Sequence, residues 1–323
     1  MKKMCGPTSD IITHLPDNVK ETILMSLPLQ DAVRTSILSR KWGYMWARLP
    51  QLLFDDKFCR ELIRNQKNKL VMTIYQVLLL HRRPILRFTL SLSGLEGCSK
   101  IDQLVLFVSN NGIQEFNLHI RIGEPYKLPS SLFSCLQLKD LTLRSGGVPK
   151  RLPITLSHLK IIDLYAICFG EVNEVSIVLC LIRSSPNLEK IIIEVCTHET
   201  TAIDHVLELL EIQDWSDVSL NQLREVEIRN LSGTRFELEF IKLLLAKSPM
   251  LETMLIEPDL EKVADKGLRI LKELTRFWRS SPKAKITYND PDGSRNENEP
   301  LKIKFSKWFV FFFTSFGLSD TER

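Results

Sequence analysis

The chain has 323 residues, a net charge of +4 from 43 basic and 39 acidic side chains, and 44% hydrophobic residues. That length is ample for a buried core, and so mild a positive balance does not by itself point to nucleic acid. Fifty-one Leu and 28 Ile stand against 13 Gly; this excludes disordered, collagen-like and disulfide-scaffold classes and argues against enzymes built on glycine-rich phosphate loops.

Residues 1–10 hold charge but no apolar run of the signal-peptide kind. Residues 13–49 then read as three short amphipathic helices. The first runs from about Pro16 to Leu27, with Thr13 a candidate cap and Val19, Ile23, Leu24 and Leu27 on one stripe. Pro28 breaks it and opens a second, carrying Leu29, Ala32, Val33 and Ile37. Ser39 suits the cap of a third, which holds Trp42, Met45, Trp46 and Leu49 and is closed by Pro50. Helices this short are marginal alone. Their surplus apolar surface must dock on the rest of the chain or on a partner helix.

Between Lys57 and Arg87 stand eight basic residues against one acid, Glu61. No aromatic stacking ladder accompanies them, so a solvated basic face is the simpler reading. From Ile85 onward a pattern L-x-x-L-x-L, or its Ile/Val/Phe/Met variant, recurs at residues 85, 113, 138, 159, 188, 223 and 251, with spacings of 28, 25, 21, 29, 35 and 28. Most of these spacings fall in or near the leucine-rich-repeat period. Aliphatic-faced helices are predicted between several of the strands, over Lys100–Ser109, Val172–Arg183 and Phe236–Ala246, and another over Leu268–Trp278. Ser185-Pro186-Asn187-Leu188-Glu189 and Ser248-Pro249-Met250-Leu251-Glu252 align as an internal duplication, with a weaker echo at Ser281-Pro282. A strand and a helix cannot bury their apolar faces alone, so stacked copies must share a core. Near Ser145-Gly146-Gly147 one strand runs almost directly to the next, which points to a shortened arc.

No GxGxxG, Walker, HExxH or GxSxG motif is present, so no catalytic residue and no cofactor is expected. His81, His119 and His158 lie beside strands and read as satisfied edge histidines. The seven cysteines contain no CxxC pair and read as small buried hydrophobes in a reducing compartment. Cys196, His198 and His205 are too few and too irregular for a metal site. The run from Trp308 to Leu318 is too short to cross a membrane.

One ordered set of residues is more specific. Leu15-Pro16-Asp17, Ile23-Leu24, Leu27-Pro28-Leu29, Asp31 to Ser36, Leu38-Ser39-Arg40-Lys41-Trp42, Trp46 and Leu49-Pro50 closing into Phe54-Asp55 resemble a plant F-box. The repeats, and the unit from Leu251 through Pro258 to Arg279-Ser280-Ser281-Pro282, resemble the plant F-box/FBD/leucine-rich-repeat family. The resemblance implies an α/β chain: a three-helix F-box at 10–55, a leucine-rich-repeat solenoid with a strand and a helix per repeat at 56–245, an FBD-like unit at 246–290, and an atypical tail at 291–323. It implies a non-catalytic substrate receptor of a cullin–RING ubiquitin ligase, cytoplasmic or nuclear. Leu15, Pro16, Ile23, Leu27, Pro28, Val33, Leu38 and Trp42 would meet a Skp-type adaptor, with Met45 and Trp46 in the core. A protein target would meet the strand residues Arg87, Glu115, Lys139, Lys160, Lys190, Arg224 and Glu227. The rival readings are a repeat scaffold that binds nucleic acid or anionic membrane through 57–87, and a shortened isoform that binds adaptor without target.

Overall fold

The L-x-x-L-x-L pieces dictate how the backbone is laid down. The computed structural model describes residues 12, 14–63, 67–92, 100–120, 126–127, 129–144, 146–147, 152, 155–196, 218–259 and 267–288. Each piece places its first aliphatic just before a strand and the other two within it. Ile85, Ile113, Leu138, Leu159, Leu188, Leu223 and Leu251 are at most 1% exposed, and the residues three and five positions further on are at most 2% exposed. Three continuous apolar rows therefore run through the molecule, and burying them is its main source of stability.

The strands are β1 Gln51–Phe54, β2 Arg87–Leu92, β3 Glu115–Ile120, β4 Tyr126–Lys127, β5 Asp140–Arg144, β6 Gly146–Gly147, β7 Ile161–Ile167, β8 Lys190–Val195, β9 Glu225–Leu231, β10 Thr253–Pro258 and β11 Lys285–Tyr288. The helices are α1 Asp17–Met25, α2 Leu29–Arg34, α3 Asp56–Ile63, α4 Lys67–Leu80, α5 Lys100–Ser109, α6 Val172–Ser184, α7 Arg235–Lys247 and α8 Gly267–Arg276. Nine strands form one sheet in the order β1-β2-β3-β5-β7-β8-β9-β10-β11, while β4 and β6 pair separately. Every neighbouring pair is parallel, and Phe88, Phe116, Leu141, Ile162, Ile191, Val226, Met254 and Ile286 share one register row. Parallel neighbours need crossovers, which α3 and α4, α5, α6, α7 and α8 contribute. Between β5 and β7 there is no helix among the described residues. The duplicated Ser-Pro segments are one recurring turn: Leu188 N donates to Ser185 O, Leu251 N to Ser248 O and Ala284 N to Ser281 O.

The sequence-predicted helices over Lys100–Ser109, Val172–Arg183, Phe236–Ala246 and Leu268–Trp278 correspond to α5, α6, α7 and α8, within two residues at each end. Three expectations need correction. The third N-terminal helix does not form: residues 40–45 turn, and only a 3₁₀ turn at Trp46–Arg48 follows. The break sits at Tyr44, whose φ of 58° is left-handed and cannot continue an α-helix. Ser39 Oγ is buried without a hydrogen bond and caps nothing. Second, Ile37 leaves the apolar stripe of the second helix, because the chain tightens into a 3₁₀ turn at Thr35–Ile37 and the side chain is 87% exposed. Third, Cys168 and Cys196 are not separate thiols but a disulfide, with Cα atoms 5.0 Å apart. Cys5, Cys98, Thr13, His198, His205 and the tail at 291–323 lie outside the described residues.

Candidate functional site

Two surfaces gather the residues singled out by sequence. The first is on the N-terminal helices. α1 buries Leu24 and α2 buries Leu29 and Ala32. The exposed side mixes polar residues such as Asp17, Asn18, Thr22 and Arg34 with many apolar ones: of the eighteen exposed large hydrophobics among the described residues, eight lie between Ile12 and Tyr44. Such clustering marks an interaction surface rather than scattered exposure. Ile23, Leu27 and Leu38 are exposed, as are Pro16 and Pro28, while Leu15 and Val33 are half-buried against the core. Trp42 stands apart. It is 2% exposed and its indole Nε1 donates to Ile12 O at 3.3 Å, so it fastens the segment from inside, as do Met45 and Trp46. Sequence reasoning missed Ile12, Val19, Met25, Ile37 and Tyr44 as members of the exposed set. Ile37 had a signal, because it sits beside Leu38 at a point where the helical stripe must end.

The N-terminal segment is built into the sheet. β1 pairs with β2 from Gln51↔Arg87 to Phe54↔Leu90. The turn before β2 clasps the segment's end: Arg82 N donates to Ala47 O, the His81 ring to Leu49 O at 2.8 Å, and Leu86 N and Arg87 N to Pro50 O. The Arg82 guanidinium lies 5.1 Å from the centre of the Tyr44 ring, a cation–π contact, and Arg83 pairs with Glu21 at 3.4 Å. With Arg87 held by Glu115, three cations of the 57–87 run are committed within the chain.

The second surface is the face of the sheet opposite the apolar rows together with the turns that lead into it: Lys139, Lys160 and Arg224, read from sequence as strand residues, stand one residue before β5, β7 and β9. Each residue proposed to contact a target has a polar partner, mostly on a neighbouring strand or the turn before it. Arg87 pairs with Glu115; Lys139 Nζ donates to Gln114 Oε1 at 2.9 Å; Lys160 pairs with Glu189 at 2.6 Å, Lys190 with Glu225 at 2.6 Å and Arg224 with Glu252 at 2.8 Å. Glu227 accepts from Arg229 Nε on its own strand at 2.7 Å. The face is therefore a lattice of opposite charges, each pair worth little in solvent and cheap for a ligand to rearrange.

On β7 to β10 the lattice becomes a denser polar cluster. The Tyr165 hydroxyl donates to Asp163 Oδ2 at 3.0 Å, and Arg229 lies among Glu227, Glu257 at 3.9 Å, and Asp163 and Tyr165. Burial raises the Asp163 carboxyl to about 6 against the lowering effects of Tyr165 and Arg229. Burial and Glu115 raise Asp140 to about 6 despite Arg87 and Lys139. Burial, then the neighbouring Asp163 carboxylate, push Tyr165 to about 12. Asp163 Oδ1 is shielded from solvent without a hydrogen-bond partner. Of this cluster sequence reasoning singled out only Glu227; the signal for the rest is the alternation of polar residues in Ile161-Ile162-Asp163-Leu164-Tyr165 and Val226-Glu227-Ile228-Arg229. Among the described residues no group of three or more His, Cys, Asp and Glu is arranged to hold a metal ion, and no helix is long and apolar enough to cross a membrane.

The chain is also similar to known proteins. Residues 12–53 match the F-box domain model, so its span takes in β1. Residues 219–256 match the FBD model, which begins earlier than the 246–290 range read from sequence and shares 246–256 with it. An F-box/FBD/LRR-repeat protein of Arabidopsis thaliana is 28% identical over 416 aligned positions, which take in 88% of this chain and 99% of that relative. Those positions outnumber the residues of this chain, so the relative contains stretches that the chain lacks. An FBD-associated F-box protein of the same plant is 32% identical over 197 residues, 59% of this chain and 46% of the relative. An F-box/LRR-repeat protein, also from Arabidopsis thaliana, is 31% identical over 147 residues, 43% and 38% respectively. The chain thus spans less than half the length of the last two.

Proposed function

From a chain that carries an F-box and an FBD and resembles the plant F-box/FBD/LRR-repeat proteins, we propose a substrate-receptor subunit of an SCF-type cullin–RING ubiquitin ligase. The F-box docks on a Skp-type adaptor through Leu15, Pro16, Ile23, Leu27, Pro28, Val33 and Leu38, with Trp42 holding these helices from within. The sheet, read as a leucine-rich-repeat solenoid, presents a protein target on its open face, where Arg87, Glu115, Lys139, Lys160, Lys190, Arg224 and Glu227 exchange their internal partners for those of the target. The receptor needs no nucleophile of its own. It raises the rate by holding a target lysine near the ubiquitin thioester carried by another subunit, a proximity effect.

The observation that carries this reading is the exposed apolar set between Ile12 and Tyr44, which coincides with the F-box match. Co-purification with a Skp-type adaptor tests it. Wild type is expected to retain adaptor, and a Leu15→Ala/Pro16→Ala variant to lose at least tenfold in recovery. Equal recovery of adaptor by both would end the ligase-receptor reading.

A further inference from the structure

We propose that Cys168 and Cys196 form a reversible thiol–disulfide modification site that locks the end of β7 to the end of β8. This inference needs no adaptor or target, but it rests on the intracellular setting that the ligase reading gives the chain.

The site is made by an irregularity of the sheet. β7 and β8 keep register from Ile161↔Lys190 to Leu164↔Ile193, and then the register shifts so that Ile167 pairs with Val195. The shift takes in Ala166, whose φ of 57° is left-handed, a costly conformation for a residue with a Cβ. The extra residue swings Cys168 beside Cys196, and Cys196 N donates to Ile167 O at 2.9 Å. On the other side, Cys168 N donates to Glu174 Oε2 at 2.6 Å, which ties the same corner to the first turn of α6. The two sulfurs therefore meet because a strained bulge, a strand end and a helix start converge on them.

Three features make this pair, rather than another cysteine, the reactive one. Both residues are half-buried rather than fully buried. Among the other described cysteines, Cys59 and Cys135 are buried, while Cys180 is half-buried like the pair but is a free thiol, so it is pairing and not exposure that sets Cys168 and Cys196 apart from it. Burial, with Asp55 and Asp56 nearby, pushes the Cys59 thiol up to about 12, so it supplies almost no thiolate. Cys135 Sγ lies 3.3 Å from the Ile113 carbonyl in the apolar interior. Intracellular glutathione pools keep most protein thiols reduced, and disulfides found there are commonly transient or sensing. A half-buried pair at the ends of two strands suits that behaviour.

The step balances with glutathione disulfide as oxidant. One protein thiolate attacks it to give a mixed disulfide and one glutathione; the second protein thiolate displaces the other glutathione. Two protein sulfurs are oxidised, one glutathione S–S bond is reduced, and the two thiol protons end on the two glutathiones. Reduced glutathione reverses the sequence. Opening the bond frees the bulge at Ala166 and the last residue pair of β7 and β8, next to Tyr165 and Glu194 on the open face.

The full-length chain is equilibrated in glutathione buffers ranging from fully reduced to fully oxidised, quenched by alkylation and mapped by peptide mass spectrometry. The expected result is a native-state transition in which the Cys168- and Cys196-containing peptides pass from doubly alkylated to cross-linked and back. The melting temperature should fall by roughly 5 °C or more on reduction, and Cys168→Ser and Cys196→Ser should abolish that difference. Hydrogen exchange in wild type should show the change concentrated at Ile161–Ile167 and Lys190–Val195. The proposal is overturned if the pair remains alkylated in oxidised glutathione, or remains cross-linked in reduced glutathione without denaturant. It is equally overturned if the serine variants keep the redox-dependent shift. Adaptor retention measured in the same buffers reports on the F-box reading alone, so the two failures are distinguishable.

Discussion

Leu38 and Trp42 stand four residues apart, and the sequence pattern assigns them the same role, yet the fold separates them. Leu38 is 59% exposed and Trp42 is 2% exposed. A Leu38→Asp substitution is expected to leave the melting temperature nearly unchanged and to weaken adaptor capture at least tenfold, measured side by side by calorimetry and pulldown. Trp42→Ala should cost about 3–5 kcal/mol of stability in a denaturant titration, and any loss of adaptor should follow from that unfolding. Motif order reveals that both residues matter; the irregular turns over residues 38–42, where no α-helix forms, place them on different sides. Asp163 is a different lesson. Its carboxyl is raised to about 6 in the folded chain against an ordinary 3.8, so the native state holds a proton that the unfolded state has released between those values. Its favourable contribution is thus complete below about 3.8 and is lost as pH rises through about 6. Asp163→Asn, which retains an acceptor for Tyr165, is expected to stabilise the protein by about 1–2 kcal/mol at pH 7.5 and to give little gain at pH 4. Equal gains at both pH values would show that the carboxylate charge is not what costs stability there.

At the level of single elements, α7 shows how a local signal survives into the fold. Thr234 and Glu237 form a capping box: Thr234 Oγ1 accepts from Glu237 N at 3.3 Å, and Glu237 Oε2 accepts from Thr234 N at 2.7 Å. Glu237 is 2% exposed, so these bonds replace water for a buried carboxylate. Thr234→Ala should lower stability by about 1 kcal/mol. The preceding Gly233 has a φ of +73°, and a Cβ there would lie 2.3 Å from Ile270 Cδ1 on α8. Gly233→Ala should therefore cost more than Thr234→Ala, and a double variant with Ile270→Ala should relieve the side-chain clash but not the conformational strain; thermal melts of the three variants decide. Helices with one aliphatic face between two strand motifs were legible from periodicity alone, as α5, α6 and α7 show. The missing third N-terminal helix was not, because its apolar spacing of 3, 1 and 3 residues from Trp42 to Leu49 is satisfied equally well by turns that bury the same side chains. β1, α3 and α4 also escaped notice. β1 is only four residues long, and the basic residues around α3 and α4 drew the reading toward surface charge.

Across the whole molecule, the sequence conveys the architecture through three rows of aliphatics whose register needs no correction from β2 to β10 apart from two late shifts, after Leu164 and after Ile256. What it conveys poorly is the open face, since residues there answer to partners rather than to the core, and pairs such as Lys160 with Glu189 lie 29 positions apart in the chain. β1 has a mechanical consequence. The F-box match ends within this strand, and four residue pairs bind it to the rest of the sheet, while Leu24, Trp42, Phe54, Phe88 and Phe116 belong to a single continuous core. Among the described residues, shared strands and a shared core join the part proposed to grip the ligase to the part proposed to hold the target. The angle between the two is cast into the protein, like the fixed arm of a set square. Choice among the lysines of a target would then be a matter of aim: those on the line of that arm are reached, and those off it are spared however tightly the target is held.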